Sequence, residues 1–358
     1  MNADTSSKRQ VLTGKVKHIA TLYHPRTWKE KGLWWTAGLF LITYLVVVVI
    51  LGIYWSRSPG LYDVREQALS VVNHDESKLV TGTVTTATAI RIGETLLDKP
   101  GGYLSNDASP PGVFLDNIPN WEFGALTAWR DLLNALRNDF SRAQSQSVED
   151  KDLAIAQPQS NYPSDSWILP STESEYRKSI DALYRYSQGL SDTSATHAQF
   201  FARADNLTIY LEVVEKRLGS LAQRLSYAVG QAHLDTALAG EPKASQSTPA
   251  PPVQTQTKTP WMKIDDIFFE ARGYTWALLH ALQAMEIDFA PVLNNKHAVV
   301  SLEQITRELK NTQNTIWSPV ILNGTGFGPM ANHSLVMASY ISRVNAAITD
   351  LRSLLQKG

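Results

Sequence analysis

Twenty-three consecutive uncharged residues, Leu33 to Trp55 (LWWTAGLFLITYLVVVVILGIYW), constrain this chain more than any other feature. At 1.5 Å per residue a helix over this run is roughly 34 Å long, enough to cross a hydrocarbon core of about 30 Å. Its centre, Leu45 to Leu51 (LVVVVIL), is too apolar for a helix with one face in water. Trp34 and Trp35 at one end and Tyr54 and Trp55 at the other sit where interfacial aromatic belts sit. The run predicts one transmembrane helix over 33–55, with those four residues at the membrane interface.

Flanking charge sets the expected orientation. Residues 1–31 carry Lys8, Arg9, Lys15, Lys17, Arg26, Lys29 and Lys31 against Asp4 and Glu30. Beyond the run, Arg57 and Arg65 face Asp63, Glu66, Asp75 and Glu76. The positive-inside rule places the tail (1–32) in the cytoplasm and everything after residue 55 outside it. A cleaved signal peptide would have a shorter apolar core and a small-residue cleavage site, whereas Trp55-Ser-Arg-Ser-Pro59 follows here. The expectation is an uncleaved signal anchor. Within the tail, Val11, Leu12, Val16, Ile19, Leu22 and Tyr23 fit one helical face ringed by Lys15, Lys17 and Arg26, a pattern suited to anionic lipid.

The chain has 358 residues, 33 Lys+Arg against 34 Asp+Glu and no cysteine. That balance argues against nucleic-acid binding. The lack of cysteine excludes disulfides, thiolate metal sites and Cys nucleophiles, so the exported part relies on its apolar core.

Beyond the anchor, apolar residues recur at spacings of three and four, which predicts an all-α bundle. The longest seam is Phe200, Ala204, Leu207, Leu211, Val214, Leu218, Leu221, Leu225, Ala228, a heptad pattern. Others run Leu126–Phe140, Ile180–Leu190, Ile264–Met285 and Met337–Leu355. The Thr-rich segment Val84–Leu97 fits a helical face better than a strand. Thr172-Glu-Ser-Glu175 and Ser301-Leu-Glu-Gln304 have capping-box form, and Asn332 or Ser334 suits the start of the last helix. Residues 240–260 (GEPKASQSTPAPPVQTQTKTP) read as a disordered linker. The expected layout is a first bundle part over 56–239, that linker, and helices of 261–358 packing on the same bundle. Connectors Pro100–Trp121 and Gln157–Pro170 carry large apolar groups, among them Tyr103, Phe114, Tyr162, Trp167 and Ile168, and are expected to fold back on the body.

Catalytic motifs are sparse. The histidines form no HxH, HxxxH or HExxH pair, so neither a metal nor a cofactor is expected. His280 suits a hydrogen-bonded core histidine. The glycine-rich stretch Asn323–Ser334 lacks the Lys-Ser/Thr of a phosphate loop, but its place before a helix makes Gly326, Phe327, Asn332 and His333 candidates for ligand or partner contact, together with Trp276 and His280. Glu270 and Arg272, set in IFFEARGYTWALL, are candidates for a buried ion pair.

Three segments, Pro100-Gly-Gly-Tyr-Leu-Ser-Asn-Asp107, Trp121-Glu-Phe-Gly-Ala-Leu-Thr-Ala-Trp-Arg130 and Asn332-His-Ser-Leu-Val-Met-Ala-Ser-Tyr-Ile341 with Gly326-Phe-Gly, resemble a proteobacterial family of single-pass inner-membrane proteins filed as a domain of unknown function. The resemblance implies a Gram-negative inner-membrane location with a periplasmic domain, and no catalytic residues. The leading expectation is a non-catalytic envelope protein whose bundle docks on other envelope proteins, in cell division or wall assembly by analogy of outline. A second copy joined through the 200–229 seam is a further expected partner. The alternatives are a ligand-binding or sensing bundle, and an envelope hydrolase with dispersed acid and base residues.

Overall fold

The computed structural model describes residues 21–143, 148–192, 198–234, 254–318, 320–325 and 328–357, with backbone alone at 231–234 and 254–257. Two compact units emerge, Met1–Trp55 and Ser56–Gly358. In the first, α1 (Pro25–Lys31) is capped by His24, whose ring nitrogen accepts from the Arg26 N–H at 3.2 Å, and stops at Gly32, where φ is +86°. Helix α2 (Leu33–Trp55) coincides with the uncharged run and is long and apolar enough to cross a membrane. Apart from Leu22 and Tyr23, the expected amphipathic face of the tail lies outside the described residues.

The second unit is all-α save for one short ribbon. Its helices are α3 (Val64–Val71), α4 (Thr83–Asp98), α5 (Asn117–Ala135), α6 (Leu153–Ser160), α7 (Thr172–Ser191), α8 (Ala204–Ser226), α9 (Ile264–Asp288), α10 (Ala290–Asn295), α11 (Val299–Asn311) and α12 (His333–Gln356). The ribbon pairs β1 (Gln231–Leu234) antiparallel with β2 (Gln254–Thr257), Gln231 facing Thr257. Residues 240–253 of the expected linker lie outside the described residues.

Helix α9 is the axis of this unit. It is apolar almost all round, and most of its residues are buried. Helix α5 runs parallel to it: Asn120 donates to Asp266 at 2.9 Å near one end, and the Phe140 and Phe289 rings meet at 5.3 Å near the other. Two glycines permit this contact. A Cβ on Gly124 would overlap the Glu270 carbonyl oxygen, and one on Gly273 would overlap that of Trp121. Helices α4, α8 and α11 run the opposite way to α9, while α7 and α12 run with it. One end of the bundle therefore gathers the starts of α5, α7, α9 and α12. The chain also enters the unit here, because Ser56, Arg57 and Ser58 share a cavity with Asp265 and Phe269 of α9 and Asn117 of α5. We call this the entry end.

The long heptad seam lies on α8 and is covered from within the chain. Leu207, Leu211, Val214, Leu218, Leu221 and Leu225 are buried, as are Met337, Ile341, Val344, Ile348, Leu351 and Leu355 on the α12 seam that packs against it. Arg352 links the two helices through Glu212 at 3.3 Å and through Glu215. The stripe proposed for a second copy is thus already occupied.

Several helix starts are set by side-chain caps, not all of them local. Val84–Leu97 is helical, within α4. Asn332 caps α12, accepting from the Leu335 N–H at 2.9 Å. The cap of α7 is Ser171, one residue before the expected box, because the Thr172 hydroxyl instead donates to the Pro163 and Ser166 carbonyls. Helix α11 starts at Val299, so Ser301 lies inside its first turn and Ala298 supplies no side-chain cap.

The glycine contact yields a test. Gly273→Ala should lower unfolding stability by about 3 kcal/mol, the upper part of the range for forcing a methyl into a filled interior. Gly219→Ala, whose new methyl would have only Asn345 Nδ2 at 3.8 Å, should stabilise α8 by up to about 1 kcal/mol. Thermal melts of the detergent-purified protein read both.

Candidate functional site

Residues at four-residue spacing on α9 share one face, and here they hold other segments in place. Arg272 donates to the carbonyls of Thr312 (3.2 Å), Gln313 (2.9 Å) and Asn314 (2.9 Å), closing the C-terminal turn of α11. Trp276 Nε1 donates to the Gly60 carbonyl at 3.0 Å. Four residues on, His280 accepts from the Tyr62 N–H through Nε2 at 3.2 Å, and its Nδ1 lies 2.8 Å from the Trp276 carbonyl. The donor at Nδ1 must be the imidazole N–H, since a carbonyl only accepts. The Tyr62 ring stacks on the imidazole at 3.9 Å. Ala284 then packs with Val64 and Ala68. Asp288 ends the series at the start of α4, accepting from Gly82 N–H at 2.9 Å and from the Thr85 N–H and hydroxyl at 2.7 Å each.

A second polar node lies under the Pro100–Asp107 loop. Glu122 of α5 is fully buried and receives Lys99 Nζ, the Leu104 N–H at 2.9 Å, the Ser105 N–H at 2.8 Å and the Ser105 hydroxyl. Burial pushes the Lys99 ammonium below its ordinary value and the Glu122 charge opposes this. Glu122 thus holds the loop through both of its oxygens.

The sequence candidates therefore fall at different places. Trp276 and His280 sit in the core, while Asn332 and His333 lie at the entry end; Gly326 and Phe327 are outside the described residues. Glu270 and Arg272 do not pair with each other. Residues two apart on a helix diverge by about 200°, so Glu270 meets Arg224 of α8 at 2.7 Å while Arg272 meets carbonyls. Among the described residues no group of three or more His, Asp or Glu is placed to hold a metal ion.

Two of the concave regions bear on the candidates. An end groove of about 400 Å³ lies between α9, the end of α11 and the start of α12, lined by Phe268, Trp317, Leu322, His333, Met337 and Tyr340. His333 Nδ1 accepts from the Leu322 N–H at 3.0 Å, and partial burial holds its pKa below the ordinary value. A side groove of about 480 Å³ lies between α5, α8 and α9, with Phe123, Val213, Leu221 and Tyr274 below charged walls. Its walls are ion pairs, Arg217 with Asp131 at 3.0 Å and Arg224 with Glu270. Sequence reading missed the Arg217–Asp131 pair because 86 residues separate its members.

Burial lowers the His280 pKa from 6.5 to about 4, against the opposing hydrogen bond to the Trp276 carbonyl. Between those values the unfolded chain binds the proton and the folded chain does not, so stability is complete above pH 6.5 and falls as pH drops toward 4. The full contribution is about 3 kcal/mol. Melting curves from pH 7 to pH 4.5 should lose stability more steeply for the native chain than for His280→Asn; equal slopes would exclude this role.

No curated protein and no solved structure matches the chain. Residues 28–358, which take in α2 and the whole bundle, match a family described as "Uncharacterized protein conserved in bacteria (DUF2333)". The chain belongs to that bacterial family.

Proposed function

We propose that this is a non-catalytic inner-membrane protein of the bacterial envelope, with its N-terminus in the cytoplasm and its bundle in the periplasm, where it docks on other envelope proteins. The observation that carries this reading is how the interior uses its ionisable groups. Lys99, Glu122, Arg272, His280 and Asp288 are all engaged in tying backbone segments together. The side groove stays accessible, an apolar floor with a charged rim, which is the anatomy of a protein–protein contact. The basic tail and the one membrane-length helix among the described residues support the orientation.

A second reading, a ligand-binding bundle, is favoured by the end groove, whose volume of about 400 Å³ is of small-molecule size. A ligand-dependent rise in melting temperature that His333→Ala abolishes would support it.

Alkaline phosphatase fused to the C-terminus should be active and a cytosolic reporter at the same place silent; the reverse pattern overturns the proposal. Proximity labelling from the periplasmic end should enrich envelope proteins. Phe123→Asp, at a half-exposed position on the groove floor, should weaken the captured partner by about 2 kcal/mol, roughly thirtyfold in affinity. No enriched envelope protein would sink the docking role.

A further inference from the structure

The two ends of the bundle are unlike. The loops of the entry end carry large apolar side chains in the open: Phe114 is 72% exposed, Trp167 64%, Leu169 90%, Trp261 77% and Trp317 92%. These residues belong to four separate connections, those entering α5, α7, α9 and α12. Three of these connections are nearly devoid of charge, while the one entering α9 carries Lys258 and Lys263 beside Trp261. Residues 312–332 hold no charged side chain, 161–171 hold Asp165 alone and 100–115 hold Asp107 alone. At the opposite end, the large exposed apolar groups among the described loop residues are Val80 and Val148. Those loops are charged, with Asp75, Glu76 and Lys78 in one and Arg142, Glu149 and Lys151 in another.

A soluble protein rarely leaves several aromatic side chains on one surface unless something covers them. Tryptophan on uncharged loops is suited to the headgroup region of a bilayer, where its ring displaces water from the acyl boundary and its N–H still finds polar partners. Location agrees with composition. Ser56, Arg57 and Ser58 line a cavity of this same end, and Ser56 is peptide-bonded to the last residue of α2. The entry end is therefore the end of the bundle that is joined covalently to α2.

We infer that the entry-end loops form a membrane-docking face, with Phe114, Trp167, Leu169, Trp261 and Trp317 seated in the interfacial region of the bilayer. This rests on the anchoring role of α2 proposed above. Neutral interfacial lipid is the occupant that fits, because the face offers aromatic rings and its cations, Arg57, Lys258 and Lys263, are balanced by Asp107, Asp165, Asp265 and Asp266. The end groove, which Trp317 helps to line, then opens toward lipid.

The absence of cysteine makes the test direct. Single cysteines replace Phe114, Trp167 or Trp317 in the full chain, with Val148→Cys as the opposite-end control and Leu45→Cys within α2. Each carries a nitroxide label, and the protein is reconstituted in phosphatidylcholine nanodiscs. Collision rates with oxygen, which partitions into lipid, and with a water-soluble nickel chelate report depth. Positions 114, 167 and 317 should favour oxygen, with position 148 favouring the chelate. If the three loop positions behave like 148 while position 45 reports lipid, the docking face is excluded and the anchor stands. If position 45 also reports water, the anchoring proposal fails and takes this one with it. Shielding of the loop positions from both reagents, growing with protein concentration, would assign the face to a second copy and overturn the inference.

Discussion

A helix with almost no side left for water dictates the architecture of the second unit. Helix α9 buries residues around its whole circumference, so every neighbour must come to it. The closest approach is at Gly124 and Gly273, where backbone meets backbone and no side chain intervenes. Such an approach fixes the spacing of α5 and α9, and with it the width available to the helices that flank them. The aromatic groups that fill the remaining space, Trp121, Trp129, Trp276 and Tyr176 among them, are fully buried.

Apolar packing alone is non-directional and leaves register to be settled by other means. On α9 the face through Arg272, Trp276, His280 and Asp288 supplies it. These side chains meet backbone groups of three segments, at 312–314, 60–62 and 82–85. A slip of one turn would leave several buried polar groups without partners, each at a cost of about 1–3 kcal/mol. The polar groups thus give the bundle a single register.

Much of this was legible in sequence, and the division is physical. Helices and seams depend on contacts three and four residues apart, so Leu207–Leu225 and Met337–Leu355 were readable as apolar faces, and so was the helical state of Val84–Leu97. Asn332 as a cap was readable for the same reason. The cap on α4 was not, because Asp288 lies 203 residues from Thr85. Glu270 and Arg272 looked like a pair within one string of letters, yet a helix turns them apart. The connectors divided: Tyr103 and Leu104 do fold back, while Phe114, Trp167 and Ile168 stay outside. Hydrophobicity predicts that such residues seek cover, and only the fold reveals whether the chain itself provides it.

The way the chain joins the bundle has a mechanical meaning. From Ser56 onward it runs lengthwise beside α9, held first at Gly60 by Trp276, then at Tyr62 by His280, then through Val64 and Ala68 against Ala284. A pull on Ser56 along that axis strains these attachments in parallel, as shear, instead of peeling them one at a time. Tension applied at Ser56 along that axis would therefore be carried into the central helix.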